Sequence, residues 1–245
     1  MKCLILAAGY ATRLYPLTEN FPKPLLEVAG KPILDWLIDD LESSGNAMEE
    51  YIIVSNHKFL PHFEKWISSH RYSSKMSLVD DGTMTNEGRL GAVKDIQLGI
   101  TERGVDDDLL VMAGDNLLSF SLGKFVEYFS AKGTTCIMRF YQPDIEKLHK
   151  TGVAEVDSSD RIVSMEEKPE HPRSHWCTPP FYIYRKEDVP LVGKGIEEGC
   201  PTDAPGSFIA WLCTKTPVHA MEMPGRRYDI GNLQSYEEVK RIFGE

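Results

Sequence analysis

The chain has 245 residues, 42% of them hydrophobic and 26% charged, with 37 acidic against 27 basic side chains and a formal net charge of −10. That length suits one α/β domain with a substantial core, and no Pro/Gly/Ser-rich linker, charge block, repeat or low-complexity segment divides it. The acidic balance argues against a nucleic-acid-binding surface and points to a small anion met by a few local cations. Five cysteines (Cys3, Cys136, Cys177, Cys200 and Cys213) are odd in number and scattered, without a C-x-x-C. They read as reduced thiols packed as small apolar groups, not as a disulfide frame or zinc site. No signal peptide precedes the first strand, and no apolar run reaches the roughly 18 residues of a membrane span. A cytoplasmic protein with no nucleic-acid or membrane partner is expected.

Strand-like runs fall at residues 2–6, 51–55, 76–80, 109–113 and 135–140, and helical periodicity falls at 33–43, 60–69, 91–99 and 122–131. This alternation predicts a mostly parallel sheet with right-handed crossovers. Pro32 is expected as the first helical position, and Gly45 as the stop of the same helix. The second half loosens into short strands at 154–156, 161–165 and 181–184, punctuated by Pro169, Pro172, Pro179 and Pro180. A helix at 208–214, a strand at 218–221 and a helix at 233–243 capped by Asn232 complete the chain.

The first thirty residues are the most informative. Leu4-Ile5-Leu6 runs into Ala7-Ala8-Gly9-Tyr10-Ala11-Thr12-Arg13-Leu14, and Pro22-Lys23-Pro24-Leu25 follows. An apolar strand ending in small residues turns sharply and aims its N–H groups at a ligand, with two cations in reach; this is a phosphate-binding layout. No G-x-x-x-x-G-K-[ST] is present, which excludes a Walker NTPase, and the third glycine of the dinucleotide fingerprint is missing. Asp115 ends the run 109–114, at the carboxyl end of a strand where open α/β sheets place ligands. Asp229 lies in Tyr228-Asp229-Ile230-Gly231-Asn232. Each aspartate alone also reads as a turn former or helix cap. Glu166-Glu167-Lys168-Pro169 alone reads as a solvated turn. Among the seven histidines none has metal-type spacing, and only His57, just after a strand end, is placed to border a cleft.

The opening segment resembles that of the sugar-1-phosphate nucleotidyltransferases, the NDP-sugar pyrophosphorylases, whose pattern is L-A-A-G-x-G-T-R-L-x-P-x-T-x-x-x-P-K-P-L. Leu6 to Leu14, Pro16, Thr18 and Pro22 to Leu25 match it in order. The departure is Ala11, which stands at the second glycine; it fits an ordinary backbone and costs about 1 kcal/mol if a positive φ is required. The resemblance runs from Lys2 to about Val239. It implies a Rossmann-like GT-A type α/β fold, with a mostly parallel central sheet flanked by helices and a small β-rich substrate-side insertion. It further implies a single nucleotidyltransferase domain, with a nucleotide half over about 1–133 and a sugar-phosphate half over about 134–245.

The same resemblance implies roles for individual residues. Leu6, Ala8, Gly9 and Thr12 line the nucleotide, Arg13 holds the β/γ-phosphates and the leaving pyrophosphate, and Lys23 holds the α-phosphate. The Gly114-Asp115-Asn116 and Asp229-Ile230-Gly231 motifs supply Asp115 and Asp229 as ligands for Mg²⁺, which favours oxygen donors and few protein ligands. Gly152 is approached by the sugar, Glu167 bonds its ring hydroxyls and Lys168 holds its phosphate. The loop 81–92 reads the base. It lacks the family's Gln; the residues here offer Asn86 with the same amide pair and Arg89 toward the base or a phosphate, and read alone the segment is also a solvated helix-entry loop. Where the family often has glycine before the aromatic strand 181–184, this chain has Pro179-Pro180.

The expected reaction joins a nucleoside triphosphate and a sugar-1-phosphate by in-line attack on the α-phosphorus, with Arg13, Lys23 and Asp115 as catalytic residues and no histidine required. Three alternatives stand beside it. One is a cytidylyltransferase-type enzyme acting on a non-sugar phosphate such as phosphocholine. Another is a non-catalytic nucleotide-sugar-binding domain. The last is a glycosyltransferase, which needs an Asp-x-Asp pair that only Asp106-Asp107-Asp108 offers, as the polar lead-in to a strand. The base, the sugar and assembly into a homo-oligomer are left open.

Overall fold

Apolar runs broken by turn formers become strands, and the amphipathic stretches between them become helices, in a computed structural model that describes residues 1–244. The first part of the chain forms β1 (Lys2–Leu6), the two-residue strands β2 (Glu27–Val28) and β3 (Lys31–Pro32), α1 (Ile33–Ser43), β4 (Tyr51–Ser55), α2 (Leu60–Ser69) and β5 (Met76–Asp80). The middle forms α3 (Ala92–Glu102), β6 (Leu109–Ala113), β7 (Asn116–Leu118), α4 (Gly123–Lys132), β8 (Thr135–Tyr141) and α5 (Ile145–Leu148). Next come β9 (Gly152–Val156), β10 (Ile162–Glu167), β11 (Trp176–Thr178), β12 (Phe181–Tyr184), α6 (Leu191–Glu197) and α7 (Gly206–Leu212). The chain closes with β13 (Val218–Glu222), β14 (Arg227–Asp229) and α8 (Leu233–Gly244).

These elements make a mixed α/β fold of two compact units that interleave along the chain. The first unit takes residues 3–89, 113–123 and the segment from Pro224 onward; the second takes 1–2, 90–112 and 124–223.

In the first unit β1, β4 and β5 pair in parallel, with Ile5 opposite Ile53 and Ile53 opposite Leu78. Two short antiparallel pairs, β2–β3 and β7–β14, complete it. The apolar face of α1 (Leu34, Leu37, Ile38, Leu41) is buried, as its period predicts. Gly45 follows at φ 81°, the left-handed stop expected there. Pro32, by contrast, ends β3 in extended backbone, so the helix begins one residue later. One core cluster joins Leu14, Leu26, Val28, Ile33, Leu117, Ile230, Tyr236 and Val239. Full burial contributes about 1.5–3 kcal/mol for each large aliphatic member. Leu14 follows Arg13, Leu117 comes two residues after Asp115 and Ile230 follows Asp229, so this cluster anchors the segments that carry all three polar residues.

In the second unit the strand order is β10-β9-β11-β8-β12-β6, and β13 also pairs with β8. Here β8–β13 is parallel and the remaining pairings are antiparallel. Of the mostly parallel order expected, β1, β4 and β5 keep it in the first unit, while the second unit pairs mainly antiparallel. The short second-half strands zigzag through tight turns, and antiparallel neighbours need no helical crossover. Of the five cysteines Cys3, Cys136, Cys177 and Cys200 are buried and all are free thiols. Burial pushes the Cys136 thiol up to about 12. No helix among the described residues is long and apolar enough to cross a membrane.

Candidate active site

The glycine-bearing loop leaves β1 at Leu6, whose carbonyl accepts Gly114 N–H at 3.2 Å. Ala8 is buried, Gly9 and Thr12 are exposed, and a Cβ at Gly9 would meet nothing within 4 Å. Packing within the protein therefore does not demand glycine at position 9. Ala11 stands at φ 47° and ψ 43°, in the left-handed region. The family's second glycine is thus a conformational requirement, and Ala11 meets it at a cost of about 1 kcal/mol. Thr18 Oγ1 donates to the Ala11 carbonyl at 2.8 Å and anchors the strained residue. One 3-10 turn, Thr12–Leu14, then turns Leu14 into the core and leaves Arg13 exposed.

Lys23 heads a second 3-10 turn between Pro22 and Pro24. Its side chain is only 8% exposed, and its Nζ donates to Asp115 Oδ2 at 2.6 Å. Gly114 makes this approach possible, since a Cβ there would lie 3.1 Å from Ile5 Cγ2 and 3.3 Å from Pro24 Cβ. Burial raises the pKa of Asp115. The Lys23 charge and hydrogen bond, with the Arg227 charge behind them, outweigh it and hold the carboxyl below the ordinary range.

The β7–β14 ladder sets Asp229 opposite Asn116, the residue after Asp115. Ile230 N–H also points to the Asp115 carbonyl at 3.4 Å. Asn116 donates from Nδ2 to Asp115 Oδ1 at 2.7 Å and accepts from Arg227 at 2.6 Å, while the same guanidinium lies 3.8 Å from Asp229 Oδ1. The two aspartates named from the sequence are therefore neighbours across one short ladder. No group of three or more His, Cys, Asp or Glu forms a metal cage among the described residues. Two carboxylates, one of them half exposed, suit a hard cation that completes its shell with water and phosphate oxygens, which is the chemistry of Mg²⁺.

The loop after β5 is latched to the glycine-bearing loop. The Tyr10 and Thr83 hydroxyls lie 3.0 Å apart, and Thr83 donates to both Asp81 oxygens, at 2.7 Å through N–H and 3.1 Å through Oγ1. Burial raises the pKa of Asp81 against these bonds. Asn56, wholly buried, donates to the Ala8 carbonyl at 2.9 Å. Asn86 begins a 3-10 turn, and Arg89, exposed, donates to the Asn86 carbonyl at 3.0 Å. His57 pairs with Asp80 at 2.6 Å, and that bond raises its pKa.

Gly152, Glu167 and Lys168 meet in the second unit. β9 pairs with β10 so that Gly152 is opposite Glu167, and with β11 so that it is opposite Thr178. A Cβ at Gly152 would collide with Thr178 Oγ1 and lie 2.9 Å from Met165 Cε and 3.0 Å from Glu167 Oε2. A Cβ at Gly206 would collide with Glu167 Oε2 from the other side. Burial raises the Glu167 pKa, Lys168 lowers it and Asp203 raises it again. Lys168 stands at φ 50°, and its Nζ lies 3.6 Å from Asp203 Oδ2. Backbone strain of this kind gathers at functional sites. Pro179-Pro180 makes a three-residue turn closed by Phe181 N–H to the Pro179 carbonyl at 2.8 Å, which ends β11 at Thr178.

Sequence reasoning missed Arg227, Asn56, Thr178 and Gly206. Only Arg227 had a local signal: it precedes Asp229 by two on a strand, so the two share a face.

The chain belongs to the nucleotidyl transferase family, which it matches over residues 2–244. Several of its relatives are named as sugar-1-phosphate nucleotidyltransferases. A UTP–glucose-1-phosphate uridylyltransferase of Haloferax volcanii is 30% identical over 250 residues, covering 100% of this chain and 97% of that one. A glucose-1-phosphate thymidylyltransferase of Streptomyces antibioticus is 30% identical over 247 residues, covering 98% and 65%. The bifunctional protein GlmU of Methanocaldococcus jannaschii is 31% identical over 195 residues, covering 79% and 42%. The chain thus spans about half the length of several curated relatives it matches, as it does again for the putative mannose-1-phosphate guanyltransferase of Sulfolobus acidocaldarius, at 49%. In fold it superposes on an apo UDP-glucose pyrophosphorylase with a TM-score of 0.84 at 20% identity, covering 99% and 97% of the two chains.

Proposed function

We propose that this protein condenses a nucleoside triphosphate with a sugar-1-phosphate, giving an NDP-sugar and pyrophosphate. The observation that carries the reading is the Lys23–Asp115 pair, together with the core cluster in which Leu14 after Arg13, Leu117 near Asp115 and Ile230 after Asp229 pack. Two cations and two carboxylates carried by segments of one core support a site for a phosphate chain at the glycine-bearing loop.

The acceptor phosphate is already an oxygen nucleophile near neutral pH, so no side chain has to take a proton. The protein's work is to position and to neutralise charge. Arg13 binds the β/γ-phosphates and stabilises pyrophosphate as it leaves. Lys23, fixed by Asp115, presents its ammonium to the α-phosphate, where negative charge spreads in the transition state. Leu6, Ala8, Gly9 and Thr12 line the triphosphate, and Asn86 and Arg89 face the base. In the second unit Lys168 binds the acceptor phosphate, Glu167 accepts hydrogen bonds from sugar hydroxyls, and Gly152 lets the ring come close. Asp115 and Asp229 are the residues that would hold Mg²⁺, which when bound supplies Lewis-acid neutralisation of the phosphate oxygens.

The test is pyrophosphate release across a matrix of the common nucleoside triphosphates and a panel of sugar-1-phosphates, with and without Mg²⁺, with phosphocholine as a further acceptor. Release requiring one triphosphate, one sugar phosphate and Mg²⁺ is expected. Release with phosphocholine alone would overturn the roles of Gly152 and Glu167. Silence from folded protein would make the chain a binding domain.

A further inference from the structure

The glycine-bearing loop leaves the sheet at a defined point. Ala7 N–H donates to the Val54 carbonyl at 2.9 Å, which carries the β1–β4 ladder one residue past Leu6. Beyond it, the N–H groups of Gly9, Tyr10 and Ala11 find no acceptor among the described residues. The first carbonyl past the ladder, that of Ala8, is held by a side chain. Asn56, the residue after β4, is wholly buried; its Nδ2 donates to the Ala8 carbonyl at 2.9 Å and its Oδ1 accepts Phe59 N–H at 2.9 Å. These two partners fix which way round the amide sits, because the flipped amide would set donor against donor and acceptor against acceptor. An aspartate or serine could cap the Phe59 turn equally well, but only the amide adds a donor at the same reach.

The consequence lies in the next peptide group. In a trans peptide the C=O of one residue and the N–H of the next point in opposite directions. With the Ala8 carbonyl pinned to the buried Asn56, Gly9 N–H is aimed away from the core, at an exposed residue where even a Cβ would meet nothing within 4 Å. A run of backbone N–H groups turned outward in this way is what anion-binding concavities are made of. We propose that Asn56 is a positioning residue for the triphosphate: by holding the Ala8 carbonyl it aims Gly9 N–H at the phosphate chain. This rests on the reading of the glycine-bearing loop as the triphosphate site and deepens it. Asn56 acts through one peptide group on phosphate alone, so it should serve every base alike and leave the acceptor untouched.

The test compares wild type with Asn56→Ser and Asn56→Asp. The serine keeps an oxygen for Phe59 N–H but is too short to reach Ala8; the aspartate keeps shape and cap but sets an acceptor against that carbonyl. Each protein, shown to be folded by circular dichroism, is titrated calorimetrically with ATP, CTP, GTP, UTP and dTTP in the presence of Mg²⁺. Steady-state turnover is followed with triphosphate and sugar phosphate varied in turn. Wild type is expected to bind at least one triphosphate. Both variants are expected to bind it about tenfold or more weakly, the scale of one hydrogen bond to a charged group, with the order of preference among the bases unchanged. The triphosphate KM should rise by a similar factor while the acceptor KM stays within about twofold of wild type. Should Asn56→Asp not fold, Asn56→Ser decides. If folded Asn56→Ser binds triphosphate as wild type does, if the acceptor KM rises as far as the triphosphate KM, or if neither variant folds, Asn56 serves the fold alone. The assignment is then overturned, while wild-type binding and turnover leave the reading of the loop standing. If wild type binds none of the triphosphates and releases no pyrophosphate, that reading fails and this assignment fails with it.

Discussion

The Lys23 ammonium and the Asp115 carboxylate lie 2.6 Å apart although 92 residues separate them in the chain. Lys23 is almost wholly enclosed while Asp115 keeps 32% of its side chain exposed. The pair is therefore lopsided: the cation depends on the carboxylate for its solvation, while the carboxylate keeps a face free for another partner.

That asymmetry predicts the outcome of breaking the pair. Lys23→Met should lower turnover by about 10²-fold or more, the usual effect of removing a transition-state donor. It should also destabilise by about 2 kcal/mol, less than for a fully buried pair because Asp115 is partly solvated. The double variant Lys23→Met/Asp115→Asn should recover most of that stability and none of the activity. Thermal unfolding and pyrophosphate release measured on the three proteins check both halves.

Ala11 gives a second prediction, because its left-handed backbone is where the chain departs from its family's glycine. Ala11→Gly removes a cost of about 1 kcal/mol but gives the unfolded chain a similar gain in entropy, so stability should move by less than about 0.5 kcal/mol. Ala11→Val places a β-branched residue in that backbone and should lose about 2 kcal/mol or more, with a raised KM for the triphosphate. A Val variant as stable as wild type would show that the loop adopts another backbone at position 11.

Gly206 separates acceptor binding from triphosphate binding. Since a Cβ there collides with Glu167 Oε2, Gly206→Ala should raise the acceptor KM by about tenfold or more. The triphosphate KM should stay within about twofold of wild type. Steady-state kinetics with each substrate varied in turn reads the split directly.

How far the sequence reports such features depends on whether they are local. The α1 and α2 spans, 33–43 and 60–69, and the strands at 51–55, 76–80 and 181–184 agree with their expected bounds because amphipathic helices and short apolar strand runs are local signals. Asp115 and Asp229 were legible as motifs, but their adjacency was not, since it arises from the pairing of β14 with β7. Thr178 and Gly206 were illegible for the same reason: what each faces is set by β-register and by the packing of the start of α7. Pro179-Pro180 read as a departure from the family. In the fold it closes the turn that sets Thr178 opposite Gly152.

Glu167 carries the pH signature of the ligand-free protein. Burial is the first cause of its raised pKa, with Lys168 opposing and Asp203 adding. An acid whose folded pKa lies above its unfolded value, 4.5 for an ordinary glutamate, binds its proton more tightly when folded. Its contribution is most favourable below pH 4.5 and is lost as pH rises to the raised value. Glu167→Gln, which stays neutral, should therefore melt above wild type at pH 7, with the difference closing as pH falls below the ordinary glutamate range. Saturating sugar phosphate should close it as well, because ring hydroxyls then satisfy the carboxylate in wild type and bind the amide less well. Melting curves from pH 4 to pH 8, with and without α-D-glucose 1-phosphate, measure both effects. A Gln variant less stable than wild type at pH 7 would mean that the Glu167 charge is compensated within the ligand-free fold, and the pH signature argued from its burial would fall.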